Sequence, residues 1–360
     1  MSHNYKPRWI WMLFLLMASA CVKDKPEDPN ATKHLGEGRR LLIANEGSLG
    51  TGSSSLSVFF PEKDSIFNHV YELQNDQTLG DIFQSITQVG DQLFLAINNS
   101  DKIIIVDALD YTYKGEIAVN KPRNMLLVSP DKMYVSSLFH SYIYIINPKT
   151  LAITGQIATD YPNTEGLLLH NNKVYACNWD TSCSYLYEID YQTDLITDRI
   201  PLLGKAPQQV LADKNGQLWV LGGNVEKQTA ASLTKIDLSN GTISGYIFPE
   251  GADMLKPCFN GKKDTLFLIG VNYNGSTANN GVFRTAIQTS EFEMLQTPFI
   301  QAEAFQYFWA LAVDSLSGNI YVGDPKGFVQ KGALNIYNSS GQLIEKYSTG
   351  LGPAAFLMID

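Results

Sequence analysis

The sequence is poor in histidine and cysteine, which limits the metal and catalytic sites that it could form. It has five histidines and four cysteines, and no histidine has a second histidine or cysteine at a metal-ligand spacing. His3 and His34 lie near the N-terminus, His69 is placed on an outer strand and His170 in a turn, so only His140 falls in a loop suited to ligand contact. Nucleophile-elbow, phosphate-loop and dinucleotide motifs are also missing. We therefore expect no metal and no cofactor, and a protein that is not an enzyme.

No apolar run is long enough to span a bilayer as a helix. The run at residues 9–17 follows Lys6 and Arg8 and is followed by small residues and Cys21, so residues 1–20 are predicted to be an export signal. Small residues before a cysteine resemble the lipobox of bacterial lipoproteins, which implies acylation of Cys21; ordinary secretion is the alternative. Residues 21–40 carry mixed charge and are predicted to be the lipidated cysteine with a flexible tether, ahead of a domain over residues 41–360.

Basic residues are outnumbered by acidic ones. Without Lys6 and Arg8 of the signal, 25 Lys and Arg stand against 36 Asp and Glu, a net charge of −11. An acidic surface argues against nucleic acid or anionic lipid as a partner. We therefore expect contact with a membrane through the lipid anchor only.

A repeated unit is clearest at residues 122–160, where four short β-rich runs are separated by turns. A proline before the first run recurs at Pro122, Pro162, Pro207, Pro257 and Pro353. The spacings are 40, 45, 50 and 96 residues, and the last equals about two repeats. Four strands in a period of about 40–50 residues indicate the blades of a β-propeller.

The repeats predict an all-β fold, a seven-bladed β-propeller with four-stranded antiparallel blades. The first blade has only three strands, the third predicted over residues 66–73. The run at residues 354–359 is left over at the C-terminus and supplies the missing strand. Its pairing into the first blade would close the ring and remove exposed sheet edges.

Two sets of loops should share one face of such a propeller, which we call the funnel face: the interblade loops and the mid-blade loops between second and third strands. The interblade candidates are Asp81, Phe83, Gln84, Arg123, Asn163, Glu165, Gln208, Gln209, Lys256, Tyr307, Phe308 and Trp309. The mid-blade candidates are Glu46, Asn98, Asn99, Phe139, His140, Asn178, Trp179, Asp180, Asn224, Tyr273, Asn274, Asp324, Lys326 and Phe328. The turn at residues 130–132 should lie on the opposite face.

Aromatic and amide side chains in these loops suggest a binding site for a large, flat ligand bearing amides or hydroxyls. Large aromatics in surface loops expose apolar area that a ligand could cover, although the same rings could pack between blades. The predicted ligand-binding residues are Phe83, Gln84, Asn98, Asn99, Arg123, Phe139, His140, Asn178, Trp179, Tyr273, Tyr307, Trp309 and Phe328.

Two of the cysteines flank the tip of a predicted hairpin. Cys177 and Cys183 are close enough to form a disulfide in an oxidising compartment, which would fix Trp179 and Asp180; two buried thiols are the alternative. Cys258 is predicted to be buried in the first strand of the sixth blade.

Several segments resemble one family of propeller lipoproteins. The segments are NEGSLGTGSSSLSVF, LGDIFQSI, KPRNMLLVSPDKMYVS, QLWVLGG and GNIYVGDPKGFVQKGALNIYNSSGQLIEKYSTGLGPAAF. Together they look like the YncE-like, or DUF5074, group, and the resemblance covers residues 41–360. This group includes the cobalamin-capture lipoproteins known as BtuG.

The resemblance implies a protein anchored on the cell-surface side of the outer membrane. It further implies capture of vitamin B12 or a related corrinoid and its transfer to a TonB-dependent receptor. Three alternatives stay open: capture of a glycan or haem, a propeller lyase or hydrolase using His140 and Glu165, and a structural or adhesive surface protein.

Overall fold

The computed structural model describes residue 35 and residues 37–272, 279–288 and 295–360. In these ranges 28 strands form seven four-stranded antiparallel sheets. The chain is a seven-bladed β-propeller, which confirms the predicted fold class. The predicted signal, Cys21, most of the tether, Tyr273 and Asn274 lie outside the described residues.

Blade 1 consists of β28, β1, β2 and β3, and blades 2 to 7 take four consecutive strands each from β4 to β27. The first strand named in each blade is the innermost. The strands are β1 Arg40–Asn45, β2 Ser55–Phe60, β3 Ser65–Phe67, β4 Phe83–Val89, β5 Gln92–Ile97, β6 Lys102–Asp107, β7 Tyr113–Ala118, β8 Pro122–Ser129, β9 Lys132–Ser137, β10 Tyr142–Asn147, β11 Ala152–Ala158, β12 Thr164–His170, β13 Lys173–Asn178, β14 Tyr185–Asp190, β15 Leu195–Pro201, β16 Pro207–Ala212, β17 Leu218–Asn224, β18 Thr229–Asp237, β19 Thr242–Ile247, β20 Ala252–Phe259, β21 Thr265–Asn272, β22 Gly281–Ala286, β23 Ile300–Gln301, β24 Ala310–Val313, β25 Ile320–Asp324, β26 Lys331–Tyr337, β27 Leu343–Leu351 and β28 Pro353–Ile359.

The core is divided into layers between neighbouring blades. In β5, Leu93 and Leu95 pack toward blade 1, whereas Phe94 and Ala96 pack toward blade 3. Because side chains alternate between the two faces of a strand, a middle strand buried on both faces needs an unbroken apolar run. This explains the unbroken apolar runs in central strands such as β5 (QLFLAI) and β6 (KIIIVD), whereas an outer strand such as β7 (YKGEIA) is mostly exposed.

The ring closes between the two ends of the chain, as predicted. Strand β28 pairs antiparallel with β1, from Arg40 opposite Ile359 to Asn45 opposite Pro353. An ion-pair cluster joins the same region: Arg39 donates two hydrogen bonds of 2.7 Å to the carboxylate of Asp314 in blade 7 and one of 2.6 Å to Asp360. The first and last strands of the propeller are therefore tied to each other and to the last blade.

Two local predictions are wrong. The predicted strand over residues 66–73 ends at Phe67, and a short helix, α1 (Val70–Asn75), follows His69, whose φ is +54°. The helix forms because it buries Val70 and Tyr71 in the layer between blades 1 and 2.

The second error concerns Pro257, which does not precede its strand. It lies inside β20, where the pairing with β21 shifts between Leu255 and Cys258. A proline is tolerated there because β20 is innermost and has no neighbour on one side.

Helices contribute little to the described part of the chain. No helix there is long and apolar enough to cross a membrane.

Candidate ligand-binding site

Hydrogen bonds fix which loops share the funnel face. The backbone N–H of Trp179, in the mid-blade loop of blade 4, donates to the carbonyl of Asn163 at 2.8 Å, and the N–H of Phe139 donates to the Asn163 side chain at 2.9 Å. Asn163 belongs to the interblade loop between blades 3 and 4. In contrast, the ammonium group of Lys132 lies 2.9 Å from Asp194, in the turn between β14 and β15. This turn is at the end of blade 4 opposite its mid-blade loop. Arg123, Phe139 and His140 therefore lie at the funnel face, and the turn at residues 130–132 lies at the other.

A cavity of about 650 Å³ occupies the centre of the ring, and we call it the central channel. The innermost strands of all seven blades line it, and loops at Trp179 and Asn224 carry it to the funnel face. Blades 2 to 5 contribute mainly polar side chains, whereas blades 6, 7 and 1 contribute mainly apolar ones. The principal polar lining residues are Gln84, Arg123, Asn124, Glu165, Gln208 and Gln209, and the principal apolar ones are Leu255, Pro257, Leu311, Val313, Ala354 and Phe356.

An ion pair joins blades 3 and 4 on the polar side of the channel, which blades 2 to 5 form. Arg123 Nε lies 2.9 Å and 2.8 Å from the two carboxylate oxygens of Glu165, and Arg123 Nη1 donates to Gln84 Oε1 at 2.5 Å. Burial alone would lower the pKa of Arg123, but the charge of Glu165 outweighs it and the pKa is raised. Each partner neutralises the other, so the pair orders the wall without adding net charge.

Two tryptophans stand at the mouth of the channel, on blades 4 and 7. Trp179 Nε1 donates to the carbonyl oxygen of Gly223 at 2.8 Å, and Trp309 Nε1 donates to Glu46 Oε2 at 3.0 Å. Both side chains are half-buried and line the channel. Since their N–H groups are already paired, a ligand would meet them through their ring surfaces.

Trp309 is supported by two of the other predicted aromatics. The rings of Tyr307 and Phe328 meet it edge-on, with centroid distances of 6.3 Å and 5.8 Å. These two residues do not line the channel themselves. Their effect is to hold the indole of Trp309 in one orientation.

Lys256 is a second cation that lines the channel. It precedes Pro257 at the irregularity in β20 and has a φ of +51°. Burial lowers the pKa of Lys256 from its ordinary value; Glu46 and Glu165 oppose this effect and Arg123 adds to it. No carboxylate among the described residues lies within ion-pair distance of its ammonium group.

Several predicted ligand-binding residues do not reach the channel. Phe83 is fully buried between blades, and the side-chain amides of Asn98 and Asn178 donate to the carbonyls of Pro122 and Tyr161. They hold the loops in place, because buried amides need hydrogen-bond partners. Tyr273 lies outside the described residues.

Three others remain at the rim of the funnel face. Asn99 donates to Asp81 at 2.5 Å, and His140 stacks on Tyr142 with a ring distance of 5.2 Å. Phe139 is 71% exposed and has a φ of +65°, an uncommon conformation for a bulky residue. Of the predicted set, Gln84, Arg123, Trp179 and Trp309 line the channel.

The sequence-based site also left out residues that the channel contains. Asn124, Leu255, Leu311 and Phe356 line it from the innermost strands rather than from loops. Alternation along each innermost strand is the signal that could have identified them, since every second side chain faces the centre.

The predicted disulfide between Cys177 and Cys183 is not formed in the structure. Both thiols are free and fully buried, and Cys183 Sγ donates to the carbonyl of Tyr185 at 3.3 Å instead. Burial raises the pKa of Cys183 to about 11. Cys258 lies in β20, as predicted, and is partly buried.

No cluster of three or more His, Cys, Asp or Glu side chains suited to a metal ion occurs within residues 37–272, 279–288 and 295–360. The described lining combines the Arg123–Glu165 ion pair, the unpaired Lys256, side-chain amides, aromatic rings and apolar side chains.

The fold and this lining define a seven-bladed β-propeller with a channel at its centre. The family described as "Domain of unknown function (DUF5074)" matches residues 39–352. The chain belongs to this family. No curated protein matches it.

Solved structures share the fold at low identity. A quinonprotein alcohol dehydrogenase-like protein from Bacteroides thetaiotaomicron is 16% identical, with a TM-score of 0.67 over 88% of this chain and 77% of that one. Hydrazine synthase from Kuenenia stuttgartiensis is 15% identical, with a TM-score of 0.58 over 75% of this chain and 87% of that one. The extracellular domain of a B. thetaiotaomicron protein described as a one-component system is 13% identical, with a TM-score of 0.58 over 88% of this chain and 45% of that one. These similarities concern the fold alone.

Proposed function

We propose that this protein is a non-catalytic cell-surface binding protein that captures vitamin B12 or a related corrinoid at the mouth of its central channel. The observation that carries the proposal is the pair of tryptophans, Trp179 and Trp309, on blades 4 and 7 at one mouth. Their ring surfaces suit a flat ligand. Gln208, Gln209 and Asn224 beside them suit the amides at a corrin's edge.

The size of the channel sets how such a ligand would bind. A cavity of about 650 Å³ is of the size that encloses a drug-like molecule. A corrin macrocycle with its amide side chains is larger than that. The corrin ring would therefore lie across the mouth, against the two tryptophans. Only a group that projects from the ring would enter the channel.

The paired charges in the channel offer little to a ligand ring. The Arg123–Glu165 pair is internally neutralised, and Glu46 is held by Trp309. Neutral hydrogen bonds and stacking would then supply most of the binding free energy.

The proposed location and partner rest on the sequence. Lipidation of Cys21 would anchor the protein on the outer membrane with the funnel face free, and a TonB-dependent receptor would accept the ligand. The extracellular-domain neighbour described above is compatible with a surface location.

The lyase alternative needs His140 and Glu165 to act on one substrate. Glu165 is bound to Arg123, and His140 stacks on Tyr142 outside the channel lining. This arrangement offers no acid–base pair from those two residues.

A calorimetric titration with cyanocobalamin and with cobinamide tests the proposal. We expect saturable heat and a raised melting temperature with at least cyanocobalamin. Absence of both effects with both ligands would refute corrinoid capture. Heat with haem or a glycan instead would assign the site to another nutrient.

A further inference from the structure

Lys256 is a cation that the fold places in the channel without using it. The residue sits at the β20 irregularity, next to Pro257, with its φ at +51°. Among the described residues its ammonium group has neither a hydrogen bond nor an ion pair. A partly buried ammonium group without a partner is costly.

The other charged groups that line the channel have partners of their own or lie exposed at its mouth: Asp253 accepts from the backbone N–H of Met254 at 3.0 Å, and Glu226 is exposed. Arg123 binds Glu165 and Gln84, and Glu46 accepts from Trp309. Lys256 therefore remains available to a ligand.

A second lysine shows that this backbone conformation does not by itself leave a lysine unpaired. Lys121 also precedes a proline and has a φ of +45°. Its ammonium group binds Asn99 at 3.0 Å and Asp101 at 3.3 Å, at the rim rather than in the channel. Lys121 thus provides a matched control for Lys256.

We propose that Lys256 is the centre of an oxyanion subsite, which takes a single phosphodiester or carboxylate group of the ligand inside the channel. The identity of the ligand in this inference rests on the proposed function. The phosphodiester of a corrinoid's nucleotide loop is the group that would enter the channel while the ring covers the mouth. A lysine is a compact point charge with three donors and is a common phosphate ligand. Gln209 lines the same channel and can donate to a remaining oxygen, as can the second N–H of Gln208, whose amide already donates to the carbonyl of Gly223 at 2.6 Å.

Cyanocobalamin and cobinamide separate the subsite from the ring site, because cobinamide lacks the phosphodiester. The wild-type protein should bind cyanocobalamin about 10- to 100-fold more tightly than cobinamide, as expected for one hydrogen-bonded charge contact. K256M should lose that preference while its cobinamide affinity stays unchanged. K256R should retain most of the preference, and K121M should behave as wild type.

The melting temperatures of the same variants control for a structural role. Since Lys256 has no hydrogen-bond or ion-pair partner among the described residues, K256M should melt at or above the wild-type temperature. A lower melting temperature, with equal weakening of both ligands, would show a structural ion pair and overturn the subsite. Unchanged binding of both ligands in K256M would overturn it as well, while corrinoid capture would stand.

Inorganic phosphate and acetate test the subsite independently of any corrinoid. In the reductively ¹³C-methylated protein, the Lys256 resonance, assigned by its loss in K256M, should shift on titration with an oxyanion and its pKa should rise. A larger shift with phosphate than with acetate identifies the phosphodiester as the preferred group, and the reverse identifies a carboxylate. No shift with either anion would overturn the subsite, whatever the outcome with corrinoids.

Discussion

Replacing Arg39 with methionine should weaken the ring closure by far more than the loss of a surface ion pair. Arg39 binds Asp314 through two hydrogen bonds of 2.7 Å, and the side chains are only 10% and 2% exposed. Removing one partner of a buried ion pair leaves the other charge without compensation, which costs about 3–5 kcal/mol. An unfolding entropy of roughly 2 cal/mol/K per residue, over about 320 residues, converts this loss into a melting temperature about 4–8 °C lower.

The matched control is R199M. Arg199 makes a bond of similar length, 2.6 Å, to Asp160, but these side chains are 45% and 38% exposed. Exposed pairs contribute about 1 kcal/mol or less, so this variant should melt within about 2 °C of wild type. Thermal unfolding followed by circular dichroism compares the three proteins. Equal, small losses in R39M and R199M would refute the role assigned to Arg39 in closing the ring.

Three further predictions concern the closure and the site. Burial alone would raise the pKa of Asp314, but its hydrogen bonds from Arg39 hold the pKa well below the ordinary value. The stabilisation by ionised Asp314 should therefore be complete above about pH 5 and shrink as the pH falls below about 4. The difference in unfolding free energy between wild type and D314N should narrow between pH 5 and pH 3. A difference that stays constant over this range would contradict the lowered pKa of Asp314. Deleting residues 354–360 removes most of β28 and should cost about 4 kcal/mol or more, seen as a lower or broader melting transition; an unchanged transition would contradict the closure. W179A and W309A should each weaken corrinoid binding about 10- to 100-fold by calorimetry. L316A should not, because Leu316 lies exposed in the turn between β24 and β25, on the face opposite the funnel face.

The fold could be predicted because blades repeat a local pattern. Turn residues, short apolar strands and a period near 40–50 residues are each encoded within one repeat, so the number of blades follows from the sequence. The leftover run at residues 354–359 also predicted the closure, since a propeller cannot leave an innermost strand unpaired.

Features that depend on contacts between distant residues could not be predicted. Arg39 is 275 positions from Asp314 and 321 from Asp360 in the sequence. No local sequence pattern indicates hydrogen bonds between residues so far apart. The helix at Val70–Asn75 replaced a predicted strand because burial of Tyr71 between two blades decided the local structure.

The sequence predicted which face of the propeller carries the candidate site, but not which residues line it. Loop position placed Trp179 and Trp309 correctly at the mouth, but it could not distinguish them from Phe83 and Asn98, which the neighbouring blades bury. Lys256 belonged to the predicted funnel-face residues, yet its lack of a partner is visible only when the surrounding side chains are placed.

The position of the corrin ring in a structure of the protein with bound cyanocobalamin would test corrinoid capture at the funnel face. We expect a ring lying across the mouth of the central channel between Trp179 and Trp309, with the phosphodiester of the ligand directed toward Lys256. A ring bound on the opposite face, near the turn at residues 130–132, or on the outer strands of the blades would contradict it.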